Sequence, residues 1–277
     1  MARRARWTPA GKGWSPQGKV GVVTGAAGGI GIGLVNALRT GGATVIATDV
    51  APGPCTDVPL DVRDPDAFDT VVQKAIAEHG RIDFLFNNAG IAFLTRVEDA
   101  TAEHWQRIID INLWGVINGV RAVYPTMISQ GHGLIVNTAS VAGLIPSPML
   151  TAYSTTKHAV VGLSTSLRVE AAEHGVAVHV VCPGPIETPL LDTRGPTDLP
   201  DITGSFDPRK FLTSIAGGKA YPADALAADV LAGIAKGRPI IVAPRSARVL
   251  RGIYRAAPAT FIRIAGKGTD PKRFTAK

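Results

Sequence analysis

A chain of 277 residues, 45% hydrophobic yet only 6% aromatic and with 31 glycines, is long enough for one large α/β domain and too short for more than two small ones. No run reaches the roughly 18 uninterrupted apolar residues of a membrane-spanning helix, and the basic stretch from Met1 to Arg6 lacks the apolar segment of a secretory signal. The net charge of +7 does not mark a nucleic-acid binder: residues 1–20 carry +5 and residues 245–277 carry +8, which leaves the 224 residues between them at −6.

The first element expected is a β-branched strand over 19–24, ending in the glycine cluster from Gly25 to Gly31 and followed by Leu34, Val35, Ala37 and Leu38 at helical spacing. A second strand covers 43–48. A short third lies around Val58 to Leu60, and a helix starting near Pro65 carries Phe68, Val71, Val72, Ala75 and Ile76 on one face. Residues 82–86 read as strand four, and a long helix spans about 101–130 with Trp105, Ile108, Ile109, Ile111 and Leu113 inward. Strand five covers 134–138, a helix 151–174, strand six 176–181 and a seventh strand 239–242. Strands that are apolar throughout and alternate with helices predict an α/β fold: a Rossmann-like doubly wound parallel sheet of about seven strands in three αβα layers. The division expected is a basic arm (1–18), one catalytic domain (19–243) with a lid at about 184–219, and a basic C-terminal extension (244–277). Pro9, Gly11, Gly13 and Pro16 argue against an amphipathic transit peptide. Cys55 and Cys182 have neither metal-ligand nor disulfide-framework spacing, so a reducing cytoplasm is the expected compartment and no metal is expected.

Two chemical signals stand on residue type and spacing. Tyr153 and Lys157, four apart on the predicted 151–174 helix, share one face, and an ammonium beside a phenol favours the phenolate and lowers a pKa otherwise about 10. Such a tyrosine exchanges protons with an alcohol or carbonyl oxygen. The glycine cluster between first strand and first helix is where a dinucleotide pyrophosphate is cradled, by backbone N–H groups and the helix N-terminus. Asp49 ends strand two, about twenty residues on, where a carboxylate accepts from ribose hydroxyls and repels a 2′-phosphate. No Arg or Lys lies in 25–31 or directly after Asp49, so NAD is expected rather than NADP.

The ordered set Thr24-Gly25-x-x-x-Gly29-x-Gly31, Asn87-Asn88-Ala89-Gly90, Ser140, Tyr153-x-x-x-Lys157 and Pro183-Gly184 resembles the short-chain dehydrogenase/reductase family over about 19–243. The resemblance implies that Gly25, Gly29 and Gly31 approach the cofactor phosphates with Ile30 in the same turn. It implies that Asp61 and Val62 meet adenine, although Asp61 also reads as a helix cap, and that Asn88, Ala89 and Gly90 lie along the riboses. Thr188 and the Ile186 backbone, after Pro183 and Gly184, would hold the nicotinamide carboxamide. In the implied tetrad Tyr153 is the acid/base, and Lys157 lowers its pKa and bonds the nicotinamide ribose. Ser140 aims the substrate oxygen, and Asn112 holds a water that links Lys157 to solvent.

The segments expected on the substrate side are apolar: Phe93, Leu144, Ile145, Pro146, Met149, Leu150, Leu190 and Leu191, with Phe206 and Phe211 closing from the lid. With no Arg or Lys in 91–95, 140–152 or 184–192, the expected substrate is a neutral hydrophobic secondary alcohol or its ketone. The resemblance also implies a homotetramer or homodimer. The alternatives are an NADPH-dependent carbonyl reductase and, from another class, a non-catalytic nucleotide-binding sensor or scaffold. Arg248, Arg251 and Arg255 oppose Leu250, Ile253, Tyr254 and Ala257 in a basic amphipathic helix broken near Pro258, with Phe261, Ile262 and Ile264 beyond. Such a helix either lies on an anionic membrane surface, docks on a neighbouring subunit or packs on its own domain.

Overall fold

The computed structural model describes residues 11–203, 207–215 and 219–267; most of the basic arm, Phe206 of the expected lid and the last ten residues lie outside them. Seven parallel strands form one sheet in the order β3-β2-β1-β4-β5-β6-β7: β1 Val20–Thr24, β2 Thr44–Asp49, β3 Val58–Pro59, β4 Phe84–Asn87, β5 Gly133–Thr138, β6 Val176–Pro183 and β7 Ile240–Ala243. Chain order reverses between β1 and β4, and the crevice beyond the carboxyl ends of these strands is the usual ligand position in such sheets.

The apolar strands divide their side chains between two cores because successive residues point to opposite faces. Val23, Phe84, Phe86, Leu134 and Val136 meet Leu34, Val35 and Leu38 of α1 (Gly29–Thr40), together with Leu226, Val230 and Ile234 of α7 (Ala223–Ala235). Val22, Leu85, Ile135 and Val178 meet Phe68 and Val72 of α2 (Pro65–His79) and Val123 and Met127 of α4 (Gly115–Gln130) on the other side. Asp64 caps α2 by accepting from the Asp66 and Ala67 amides at 3.0 Å, with Pro65 at the first helical position.

The helix expected over about 101–130 is present, running without interruption from Ala102 to Gln130, but it widens midway. α3 (Ala102–Ile109) and α4 are joined by a five-residue π segment, Asp110–Trp114, centred on Asn112. The hydrophobic repeat does not encode the wider turn. It displaces the inward face, so Ile108 is fully buried while Trp105, Ile109, Ile111 and Leu113 are half-buried. α5 (Thr151–Ala171) packs on β6 and carries Tyr153 near its start.

The segment expected as a lid contains a 3₁₀ turn, Pro189–Asp192, and α6 (Pro208–Ile215). One ion pair lies within it and another ties it to α3. Arg209 grips Asp192 through both carboxylate oxygens at 2.6 and 2.7 Å, and Arg107 of α3 grips Asp198 at 2.8 and 2.7 Å. Beyond β7 the chain continues as α8 (Arg245–Ala256), which inserts Ala247 into the core beside Val242, and α9 (Pro258–Lys267). Tyr254 and Phe261 pack edge-on at 5.4 Å between these two helices.

Candidate active site

At the carboxyl ends of β1 and β4 lies a cavity of about 1250 Å³. Its first end is built by the glycine turn. Gly25 leaves β1 with φ +72°, and a side chain there would sit 2.8 Å from the Ala89 Cα. The Thr24 hydroxyl accepts from the Asn88 and Ala89 amides at 3.0 Å each, and the Asn88 amide group donates back to the carbonyls of Thr24 and Gly25. Asn87 reaches Asn137 at 2.9 Å and Asn137 reaches Ser164, a buried chain that ties β4 to β5 and α5.

Three observations fit this end to a dinucleotide. α1 begins at Gly28 without a side-chain cap, so its first N–H groups are left for an anion. Gly28 has open space where a Cβ would stand, and it faces the cavity with Gly25, Gly29 and Ile30. Asp49 accepts from Ala27 N at 2.9 Å and Ala51 N at 3.1 Å, and still lines the cavity with acceptor capacity to spare. Asp61 and Val62 line the same end. The Asp61 carboxyl is held below the usual carboxylate range by its hydrogen bonds with Arg63, whose Nε donates to both oxygens at 2.9 Å.

The other end belongs to α5 and the segment after β5. Tyr153 and Lys157 lie one turn apart, with Lys157 Nζ 5.5 Å from the Tyr153 ring centre and donating to Thr138 O at 2.9 Å. Ser140 caps a short 3₁₀ turn by accepting from Ala142 N and turns its hydroxyl into the cavity. Burial pushes the Tyr153 phenol up to about 12, against the lowering effect of Ser140, and brings Lys157 down to about 8. Burial thus opposes the expected acidification of the phenol by its lysine, since either charge is disfavoured away from water.

Twenty-two of the site residues named from the sequence line this one cavity: Gly25, Gly29, Ile30, Asp49, Asp61, Val62, Asn88, Ala89, Gly90, Ser140, Ile145, Pro146, Leu150, Tyr153, Lys157, Pro183, Gly184, Ile186, Thr188, Leu190, Leu191 and Phe211. Gly31 stands behind the turn, where a Cβ would lie 1.9 Å from Gly25 O; its role is close approach of helix to loop. Asn112 is fully buried and brackets Ile91, accepting from its N and donating to its O at 2.9 Å, with Thr156 Oγ1 at 3.3 Å. Phe93 packs on His104 behind Tyr153, Leu144 joins the core around Val160, and Met149, with φ +65°, packs on Leu94 and Phe211. The sequence reading missed Gly28, although it belongs to the same glycine cluster. It also missed the wall formed by Leu250, Ile253, Phe261 and Ile264, whose only signal was the amphipathic pattern of α8 and α9.

Known proteins agree with this architecture. Oxidoreductase UcpA of Escherichia coli K12 is 38% identical over 224 residues, covering 76% of this chain and 82% of the relative. A short chain dehydrogenase/reductase from Burkholderia phymatum, solved in complex with NAD, superposes with a TM-score of 0.77 at 24% identity over 89% of this chain and 96% of that one. A short chain dehydrogenase from Burkholderia cenocepacia, solved with NADP, gives 0.72 at 26% identity over 90% and 99%. The profile of the short chain dehydrogenase family matches residues 19–198, and the chain belongs to that family of oxidoreductases.

Proposed function

We propose that the protein interconverts a neutral, hydrophobic secondary alcohol and its ketone, with NAD(H) as the hydride carrier. The observation that carries this reading is the meeting of Tyr153, Ser140 and Lys157 at one end of a cavity whose other end offers a bare helix N-terminus and the Asp49 carboxylate. Gly25, Gly28, Gly29 and the start of α1 would hold the pyrophosphate. Asp49 would take the adenosine ribose, Asp61 and Val62 the adenine, Asn88 to Gly90 and Lys157 the nicotinamide ribose, and Ile186 and Thr188 the carboxamide. NAD(H) supplies the acceptor or donor of hydride at the substrate carbon.

The chain's own work is proton control. With its pKa near 12 the Tyr153 phenol carries its proton at neutral pH, ready for the oxygen of a ketone as that oxygen gains charge. Ser140 supplies a second contact to the same oxygen. In the opposite direction Tyr153 takes the hydroxyl proton, and the Lys157 ammonium stabilises the phenolate that must form first. Asn112, at the π segment beside Lys157, positions the route by which the proton is replaced from solvent. The cavity wall next to Tyr153 is apolar (Ile91, Ala142, Ile145, Leu150), which supports an uncharged substrate.

NAD over NADP rests on Asp49. Two cations, Arg63 and Arg107, do line the adenine end, but each is committed to a carboxylate, Asp61 and Asp198. Exposed Trp114 beside α4 and Val169 on α5 give the long helices an apolar outer face, which supports a homodimer or homotetramer. The decisive experiment is Tyr153→Phe. Turnover of hydrophobic secondary alcohols with NAD, read as NADH absorbance, should vanish while NADH binding persists. Retained turnover refutes the mechanism, and a wild type without turnover on any such alcohol or ketone favours the sensor reading.

A further inference from the structure

Between Arg245 and Lys267 the chain carries six cations and no acid. Arg245, Arg248, Arg255 and Arg263 are all exposed. The same 23 residues hold four of the nine large exposed hydrophobic side chains among the described residues: Val249, Ile253, Ile262 and Ile264, each between 51% and 63% exposed. Apolar surface is thus concentrated where the charge is uniformly positive. Two of these four, Ile253 and Ile264, also line the cavity. The α8–α9 hairpin, joined by the Tyr254–Phe261 contact, is therefore both a wall of the site and an apolar rim open to solvent.

The charge decides what covers this rim. A two-fold contact of the hairpin with itself would set its cations against those of the second copy with no acid between them. An anionic bilayer surface satisfies both components, since arginines meet headgroups while Ile and Val enter the acyl boundary. We propose that α8 and α9 dock on an anionic phospholipid surface, with the rim formed by Ile253 and Ile264 opening the cavity toward the bilayer. The docking stands on surface chemistry alone; passage of a lipophilic substrate past these two residues rests on the proposed function.

The test uses the full-length protein and flotation with phosphatidylcholine vesicles, with and without phosphatidylglycerol. Wild type should float only with the anionic vesicles and be released by high salt. Arg255→Glu with Arg263→Glu should lower the bound fraction about tenfold or more, since each cation near such a surface contributes appreciably. Ile262→Ser should also weaken it. None of these three residues lines the cavity, so thermal melts and NADH binding should match wild type. Absence of binding, equal binding to neutral vesicles, or indifference to charge reversal overturns the docking. A change of particle mass by light scattering in the reversed variant, without a change in flotation, assigns the face to a second copy instead. For the substrate route, an alcohol dissolved in anionic vesicles should be turned over faster by wild type than by the double variant, and a short water-soluble alcohol equally by both. Equal rates in both arms refute the route and leave docking to the flotation result. Absence of all turnover counts against the proposed reaction and the route together, with flotation again deciding the docking.

Discussion

Lys157 Nζ lies 5.5 Å from the centre of the Tyr153 ring and spends one proton on the Thr138 carbonyl at 2.9 Å. Lys157 is buried and Tyr153 half-buried, so the pair is held in place by helix geometry and one backbone acceptor while each of its charges is disfavoured. The resulting shifts run in opposite directions and have consequences for stability as well as for chemistry.

The Lys157 pKa falls from 10.5 to about 8 on folding. Between those values the unfolded chain holds a proton that the native protein has released, so this group adds stability as pH rises and has lost that contribution below pH 8. The full swing is about 3 kcal/mol. Tyr153 and Cys182, both pushed up to about 12, act oppositely above their unfolded values. The difference between wild type and Lys157→Met isolates the lysine. Urea unfolding of nucleotide-free protein should show wild type gaining on the variant from pH 7 to pH 10; a constant difference would mean the ammonium is not desolvated.

Ser140 should matter to kcat more than to binding. Its hydroxyl faces the cavity beside Tyr153, and losing one donor to a developing oxyanion typically costs about 10²-fold or more in rate. Ser140→Ala is expected to lower kcat by about that factor with the NADH dissociation constant unchanged. Because Ser140 also accepts from Ala142 N, a thermal melt accompanies the kinetics, and an equal loss in NADH affinity would recast the residue as structural.

Nucleotide choice can be inverted at two positions. Asp49 ends β2 with its carboxylate on the glycine turn, and Val50, 71% exposed, follows it at the cavity edge. Wild type should bind NADH at least about tenfold more tightly than NADPH, a difference of about 1.4 kcal/mol. Asp49→Ser with Val50→Arg removes the repelling charge and adds a phosphate partner, so the preference should reverse. Calorimetric titration with both nucleotides reads it directly. A wild type that prefers NADPH would remove Asp49 from its assigned role.

The strands and the ends of the site were legible because uninterrupted apolar runs, buried on both faces, and the spacing of Gly25, Asp49, Ser140 and Tyr153 are properties of the chain itself. The π segment was not, since one inserted residue around Asn112 leaves the apolar repeat of 101–130 nearly intact. Phe93, Leu144 and Met149 were read as pocket and stand behind it, because an apolar residue next to a site looks the same from sequence whether it faces the cavity or the core. The same ambiguity hid Leu250 and Phe261: an amphipathic helix states that one face is buried and says nothing of what it is buried against.

Two glycines of ordinary helical backbone separate close approach from simple flexibility. At Gly31 in α1 a Cβ would lie 1.9 Å from Gly25 O and 2.9 Å from Ala26 Cα, both backbone atoms that cannot yield without moving the phosphate turn. At Gly162, exposed within α5, a Cβ meets nothing within 4 Å. Gly31→Ala should therefore lose about 1–3 kcal/mol and weaken NADH binding along with it, as for any overpacked contact. Gly162→Ala should gain about 0.5–1 kcal/mol by restricting the unfolded chain and lowering no affinity. Denaturant melts and NADH titrations on both variants measure the contrast. If Gly31→Ala bound NADH as well as wild type, the turn between β1 and α1 would not be the rigid cradle that these distances require.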